Sequence, residues 1–280
     1  MTRILSTDVI EETVRSLFLS CAFRLPDKVK AHLALALEKE NSAEGRSILS
    51  TLIKNHGLAQ DAAIPLCQDT GLAQILIELG QEVSLVGRPL SEAVSNGAKA
   101  AYGVGYLRKS TCHPLERNNR GDNSPASLET LIVPGDQITV IVLAKGGGCD
   151  NKCRMVNLVP TTSKESIIKT IVSLALEAGP DACPPYCLGV AVGGSFESAP
   201  RLARRALVDL WEDPPMSPEE SDLAETILTQ INASGLGPMG LGGRVTALGL
   251  RLKLYPCHLA SLPVAVNVNC HSLRTARATF

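Results

Sequence analysis

Apolar runs that border glycine-rich stretches set the strongest limit on what this 280-residue chain can fold into. QITVIVLA at 137–144 leads directly into KGGG at 145–148, and CLGVAVGG at 187–194 ends in a glycine pair. A third stretch, GLGPMGLGG at 235–243, comes just before another apolar run. Short apolar runs next to glycine are typical of buried strands. Because glycine lets backbone N–H groups approach a ligand closely, the three stretches together predict a small anionic ligand.

Helical and strand patterns alternate irregularly along the chain. Apolar residues recur at helical spacing in several segments: 8–22, 27–39, 43–60, 90–102, 163–178, 198–210 and a segment that ends near 232. Strand patterns cover five further segments: 72–79, 137–144, 187–194, 245–256 and 258–270. We therefore expect an α/β fold with mixed sheets and a helical N-terminal layer over the first 60 residues. The polar segment 108–127 predicts a long, functional loop.

Composition excludes several classes of function. The net charge is −1, and no long block of one sign occurs, which argues against a nucleic-acid surface. Aromatic residues make up 3% of the chain, too few for stacking platforms. The apolar runs are far shorter than the roughly 20 residues that span a bilayer, and MTRILSTDVIEETV lacks the apolar core of a signal peptide. We expect a cytoplasmic protein, without membrane or nucleic-acid partners, that acts on a small polar substrate.

The nine cysteines are numerous for a reducing compartment, where structural disulfides are rare. Cys149 and Cys153 are four residues apart, as are Cys183 and Cys187, and neither pair has the spacing of a zinc ribbon. The stretch PLCQDTG at 65–71 groups a thiol, an amide, a carboxylate and a hydroxyl, which ordinary core packing does not require. Spacing alone leaves both metal or cluster binding and plain burial open.

Candidate acid–base and anion-binding groups are few. They are Asp69, Arg108, Lys109, His113, His258, Arg274 and Arg277. Taken singly, each is explained equally well as a solvated charge or as a satisfied core group.

Six ordered blocks resemble the α subunit, or N-terminal catalytic domain, of class I iron–sulfur fumarases and of L-tartrate dehydratase. The resemblance extends from about residue 10 to residue 277. The blocks are CQDTG at 67–71, KGGGCDNK at 145–152, CPP at 183–185, GVAVGGSFESA at 189–199, NASGLGPMGLGG at 232–243 and HLASLPVAVNVNC at 258–270. The resemblance implies that residues 1–280 form a single hydro-lyase catalytic domain.

The resemblance also implies a 4Fe–4S cluster. The positions that match its three cysteine ligands are Cys67, Cys183 and Cys270. Three thiolates for four irons leave one iron without a protein ligand, and such an iron can act as a Lewis acid on a substrate oxygen. The implied reaction is the reversible hydration of fumarate to L-malate without a redox change.

Site roles follow from the same match. The implied catalytic residues are Asp69 and Gln68: Asp69 corresponds to the acid–base residue, and Gln68 is expected to hydrogen-bond the substrate beside it. Further substrate contacts are implied for Arg108, through its guanidinium group, for Gly147 and Gly148, through their backbone N–H groups, and for His258.

The chain departs from the resembled family at two cysteines. Cys149 and Cys153 stand where serines are common in the fumarases. Tartrate dehydratases have a cysteine directly after the glycines but lack the DNK that follows here, so the loop favours a fumarase. A role for Cys149 as an extra ligand stays open. The alternatives are an L-tartrate dehydratase or mesaconate-type hydratase α subunit, a non-catalytic iron–sulfur paralogue, and a zinc-binding or thiol-rich structural subunit.

The sequence ends at Phe280, before the second domain of the resembled enzymes. We therefore expect a separate β subunit that completes the pocket for a small dicarboxylate, in an assembly such as α2β2. Alone, the chain is expected to hold a cluster but to turn over poorly. An exposed iron also predicts sensitivity to oxidants.

Overall fold

The computed structural model describes residues 2–280. The chain divides into two compact units. The first unit contains the residues up to Pro26, Asn55–Gly147 and Arg274–Phe280. The second unit contains Asp27–Lys54 and Gly148–Leu273.

Helices and strands follow each other in mixed order, which confirms an α/β fold with mixed sheets. The helices are α1 (Thr7–Phe23), α2 (Asp27–Lys39), α3 (Ala43–Ala62), α4 (Leu90–Val104), α5 (Gly147–Asp150), α6 (Lys164–Leu176), α7 (Ser198–Val208) and α8 (Pro218–Asn232). The strands are β1 (Arg3–Ser6), β2 (Leu72–Gly80), β3 (Val83–Val86), β4 (Ser127–Val133), β5 (Ile138–Lys145), β6 (Arg154–Leu158), β7 (Tyr186–Gly193), β8 (Ala247–Tyr255), β9 (Leu262–Asn269) and β10 (Thr275–Thr279). Within residues 2–280, no helix combines the length and the apolar character needed to cross a membrane.

The first unit is built on a four-stranded mixed sheet in the order β10-β5-β2-β4. β2 runs antiparallel to β5 and parallel to β4, and β10 runs antiparallel to β5. Helix α1 begins after Ser6, whose Oγ accepts the N–H of Asp8 at 3.2 Å. Its buried residues Ile10, Val14 and Phe18 recur every four positions, so one apolar face of α1 packs with α4 over the sheet.

The second unit has its own mixed sheet, in the order β6-β9-β7-β8. β7 is buried along its whole length, because Leu188 and Val190 pack beneath α6 and α8 while Ala191 faces α7. A Cβ at Gly189 would lie 2.1 Å from the carbonyl oxygen of Ala203, so α7 crosses β7 at close range. Helices on both faces explain why this strand is a continuous apolar run rather than an alternating one.

Both four-stranded sheets have the same pattern of strand directions. In each sheet a central strand, β2 or β7, pairs antiparallel with one neighbour and parallel with the other. Antiparallel neighbours place the segment that precedes one strand beside the segment that follows the other. The residues before β2 and after β5 therefore share one edge, as do the residues before β7 and after β9.

The predicted elements are largely observed. The helical segments form α1 to α4 and α6 to α8, and the strand patterns form β2, β5, β7, β8 and β9. Helix α1 lies in the first unit, α2 lies in the second unit, and α3 runs from the second into the first. The polar segment is a loop until β4 begins at Ser127.

Sequence patterns missed β1, β3, β4, β6 and β10. These strands have four to seven residues and are only partly buried. β4, β6 and β10 are edge strands of the larger sheets, and β1 pairs only with β3. A strand with little buried surface does not need a continuous apolar run, which is why no apolar signal marked them.

A buried carboxylate joins α2 to the segment before β8. Glu40 is 2% exposed, and its oxygens accept backbone N–H groups from Asn41, Ser42, Arg244 and Val245 at 2.8–3.0 Å. Burial by itself raises the pKa of Glu40, but the N–H donors outweigh that effect and leave its pKa below the ordinary value. The ionised carboxylate thus stabilises the end of the glycine-rich loop.

We predict that Glu40→Gln destabilises the chain by about 2 kcal/mol at neutral pH, because an amide nitrogen cannot accept the N–H groups that the carboxylate oxygen accepts. The folded-state pKa of Glu40 is depressed, so its stabilisation is complete above about pH 4.5 and is lost as the pH falls through the folded pKa. Urea unfolding at neutral pH and on the acid side of pH 4.5 measures both effects.

The control for this variant is Glu38→Gln, at an exposed position of α2 two residues before Glu40. It should leave stability within about 0.5 kcal/mol of the parent chain. Equal stability and equal acid dependence in Glu40→Gln and the parent chain would contradict the role given to Glu40.

Candidate functional site

Three segments converge at one edge of the first unit's sheet. CQDTG at 67–71 enters β2, and the glycines at 146–148 leave β5. The strands pair with Leu72 opposite Lys145, so the two segments meet where the pairing ends. β10 pairs with β5 from Thr275 opposite Leu143, which brings Arg274 to the same edge.

Asp69 is held in place by three hydrogen bonds at this edge. Its Oδ2 accepts the N–H of Gly147 at 2.7 Å, and its Oδ1 accepts the N–H of Gly71 at 3.0 Å. Its carbonyl oxygen accepts Nη1 of Arg274 at 2.6 Å. The side chain is half-buried, and its orientation is fixed by two backbone donors. The Gly147 N–H, expected to contact substrate, is here engaged by the carboxylate.

Arg274 lies at this edge as well; it was one of the candidate charged groups of the sequence, but the family resemblance gave it no part in the site. It is 3% exposed, and its carbonyl oxygen also accepts the N–H of Ala144 at 3.0 Å. A Cβ at Gly146 would lie 3.2 Å from Oδ2 of Asp69 and 3.4 Å from Nη2 of Arg274. A side chain there would crowd both groups, so the first glycine of the run is needed for close approach. That glycine was the available sequence signal.

A buried tyrosine hydrogen-bonds the backbone of the segment that follows Asp69. The hydroxyl of Tyr102 is 3.0 Å from the carbonyl oxygen of Thr70 and 2.8 Å from that of Gly71, to which it donates. Nδ2 of Asn123 also donates to the Gly71 carbonyl, at 3.2 Å. Burial raises the pKa of Tyr102, so its hydroxyl remains a neutral donor. The turn that carries Asp69 is therefore fixed on both sides.

The other predicted residues of the first unit lie beside this turn. Oγ1 of Thr70 donates to the carbonyl oxygen of Arg108 at 3.0 Å, while the Arg108 side chain is exposed. Cys67 is half-buried, and its thiol donates to Oε1 of the exposed Gln68 at 3.4 Å. The structure thus brings Cys67, Gln68, Asp69, Arg108 and Gly147 to one edge of one unit.

Two further predicted ligands meet in the second unit for the same topological reason. Cys183 precedes β7 and Cys270 follows β9, and these strands pair antiparallel with Cys187 opposite Asn269. The N–H of His271 donates to the carbonyl oxygen of Cys183 at 3.4 Å. Cys183 has φ +52°, a left-handed conformation that is uncommon for a non-glycine residue and often marks a functional site.

The donor groups suit an iron–sulfur cluster. Cys67, Cys183 and Cys270 are half-buried thiols, and within residues 2–280 no cysteine forms a disulfide. Cysteine thiolates are the usual ligands of such clusters. Across the described residues, no three His, Cys, Asp or Glu side chains form a group that would hold one metal ion.

The structure does not bring His258 to the edge that carries Cys183 and Cys270. His258 is exposed in the loop that joins the end of β8 to the start of β9. Cys270 lies after the other end of β9, roughly 24 Å along an eight-residue strand. Nδ1 of His258 accepts the N–H of Ala260 at 3.0 Å. The substrate contact assigned to His258 stays a prediction.

Comparison with known proteins agrees with the geometry. The family model described as fumarate hydratase (Fumerase) matches residues 11–279. A Methanocaldococcus jannaschii protein, provisionally named L(+)-tartrate dehydratase subunit alpha, is 32% identical over 273 residues, which are 95% of this chain and 96% of that protein. Proteins named L(+)-tartrate dehydratase subunit alpha from Escherichia coli and Shigella boydii are 28% and 27% identical over 269 residues, covering 95% of this chain and 88% of each relative.

We predict that Gly71→Ala destabilises the chain by about 3 kcal/mol. Gly71 has φ +85°, and a Cβ there would lie 2.8 Å from the backbone of Ala144 and Lys145. Gly121→Ala is a matched control, since Gly121 has φ +79° with nothing within 4 Å of its Cβ position. Gly121→Ala should lower the free energy of unfolding by only about 1 kcal/mol. Urea unfolding of both variants measures the difference, and equal losses would show that the close contact is relieved by movement.

Proposed function

The chain belongs to the fumarate hydratase (Fumerase) family of hydro-lyases, and on that premise we propose that it is the α subunit of a two-subunit enzyme that hydrates fumarate reversibly to L-malate. The observation that carries this proposal is the fixed carboxylate of Asp69 beside the thiol segment of Cys67. Hydration of a double bond needs a group that delivers a proton to one carbon. Asp69 is the group that the site holds ready for that role.

Asp69 accepts a proton from C3 of malate and returns it during hydration of fumarate. Each of its oxygens accepts one backbone N–H, from Gly147 or Gly71. A carboxylate oxygen can accept two hydrogen bonds, so each oxygen keeps capacity for the substrate proton. Arg274 holds the backbone of the same residue and so limits how far the carboxylate can turn. A fixed base lowers the entropic cost of reaching the reactive geometry.

Cys67, Cys183 and Cys270 are proposed to hold a 4Fe–4S cluster. Their half-buried thiols provide three ligands of the required type. When bound, a cluster with one iron lacking a protein ligand supplies a Lewis acid that helps the substrate hydroxyl to leave. The chain's own contribution is to orient the substrate and to move the proton.

The substrate's carboxylates are proposed to bind three groups of this chain. The exposed guanidinium of Arg108 matches a carboxylate with two parallel donors. The amide of Gln68 and the N–H of the exposed Gly148 provide neutral donors. Gly147 contributes indirectly, because its N–H orients Asp69. These contacts would hold the two carboxylates of a four-carbon substrate and so fix the position of the carbon that loses the proton.

A β subunit is the expected partner, and L-tartrate is the second candidate substrate. The relatives from M. jannaschii, E. coli and S. boydii are named as α subunits of L(+)-tartrate dehydratase. Tartrate differs from malate by one hydroxyl, on the carbon that gives up the proton. One additional hydrogen bond to that hydroxyl is enough to change the preferred substrate. The proposed assembly is a heteromer such as α2β2.

We predict that the chain turns over fumarate only together with its β subunit. Both chains are purified without oxygen, and loss of fumarate absorbance is followed with the α chain alone and with the pair. L-Malate, L-tartrate and mesaconate are assayed in parallel. A kcat/KM at least tenfold higher for malate than for tartrate supports a fumarase, and the reverse ratio identifies a tartrate dehydratase. Full activity of the α chain alone would contradict the two-subunit proposal.

We predict that Asp69→Asn lowers kcat by roughly 10²- to 10⁴-fold without changing iron and sulfide content, because the amide cannot accept the proton. Cys67→Ala should instead lose iron, sulfide and activity together. Asp61→Asn, at an exposed position of the same unit, is the control and should match the parent chain. Loss of iron in Asp69→Asn would show that Asp69 supports the cluster rather than the proton transfer.

A further inference from the structure

Cys149 is a buried cysteine to which neither the family match nor the mechanism assigns a role. It is 5% exposed and lies in the short helix α5 of the glycine-rich segment. Serine is common at this position in the resembled fumarases. The core cysteine Cys21 donates only within its own helix, whereas Cys149 contacts backbone groups of two segments that are distant in the sequence.

The thiol of Cys149 joins the two ligand-bearing segments of the second unit. Its Sγ accepts the N–H of Cys270 at 3.1 Å. The same thiol donates to the carbonyl oxygen of Ala182 at 3.7 Å, and Ala182 directly precedes Cys183. One sulfur atom thus contacts the backbone of one expected ligand and the residue before another.

Other contacts fix Cys149 in this position. Nζ of Lys152 pairs with Oδ2 of Asp181 at 3.0 Å, which holds the following turn against the segment that carries Cys183. A Cβ at Gly148 would lie 2.9 Å from the carbonyl oxygen of Asp181, so the two backbones approach closely. The thiol of Cys153 donates to Oδ1 of Asn267 at 3.4 Å, on the strand that leads to Cys270. Cys149 is therefore held from both sides.

We infer that Cys149 is a positioning residue whose side chain, through its contacts with the Ala182 carbonyl and the Cys270 N–H, sets the separation of the Cys183 and Cys270 segments, and thereby the persistence of the cluster they would hold. The part of this inference that concerns the cluster rests on the proposed function. The part that concerns the positioning of the two segments does not.

The variants Cys149→Ala and Cys149→Ser separate the effect of the two hydrogen bonds of Cys149 from the effect of its side-chain volume. Alanine removes both hydrogen bonds. Serine keeps a donor and an acceptor, but its C–O bond is shorter than a C–S bond, so it restores the contacts only in part. Cys21→Ala is the matched control, because Cys21 is also a fully buried thiol, donates to the Phe18 carbonyl within its own helix, and lies in the other unit.

The first measurement uses the full chain without a cluster. Amide hydrogen exchange of the Cys270 N–H is followed by mass spectrometry of short peptides that contain it. We expect exchange to be roughly fivefold faster in Cys149→Ala, intermediate in Cys149→Ser and unchanged in Cys21→Ala, in line with loss of one hydrogen bond. Equal exchange in Cys149→Ala and the parent chain would overturn the positioning role.

The second measurement uses the reconstituted chain. Iron release to a chelator without oxygen should be several-fold faster in Cys149→Ala, although its initial iron content equals that of the parent chain. A lower initial iron content in this variant alone would overturn the inference, because Cys149 would then act as a ligand. If the parent chain also takes up no iron, the proposed function fails, and hydrogen exchange still decides the positioning role.

Discussion

Antiparallel strand pairing is the constraint on which the rest of this structure depends. In the first unit, pairing of β2 with β5 places the CQDTG turn beside the glycine run. In the second unit, pairing of β7 with β9 places Cys183 beside the segment that contains Cys270. The candidate site residues lie where these pairs end, because the backbone there leaves the ladder and its N–H groups become available to side chains and ligands.

Carboxylates use those available N–H groups in two different ways. Glu40 is buried and accepts four backbone N–H groups, so its negative charge serves stability. Asp69 is only half-buried and accepts two, which fixes its direction and leaves capacity for a proton. The number of donors and the degree of burial therefore separate a structural carboxylate from the proposed proton carrier.

The cysteines also differ in their burial and in the groups that they contact. Cys21 is fully buried, and burial raises the pKa of its thiol to about 12, so it stays a neutral part of the core. Cys67, Cys183 and Cys270 are half-buried near strand ends, and they are the proposed ligands of the cluster. Cys149 is buried, and it contacts the backbone of the two segments in its unit that carry proposed ligands.

The sequence by itself determined the central strands and most helices, because continuous apolar runs and helical spacing are local signals. The candidate ligands followed only from the family resemblance, since the spacing of the cysteines left metal binding and plain burial open. Only the tertiary structure decided that Asp69 meets Gly147 and Arg274, which are 78 and 205 positions away. It also placed Cys149 against Cys270, 121 positions away, and His258 at the far end of β9. The half-exposed strands and these contacts left no local signal, because they arise from the pairing of strands that are distant in the chain.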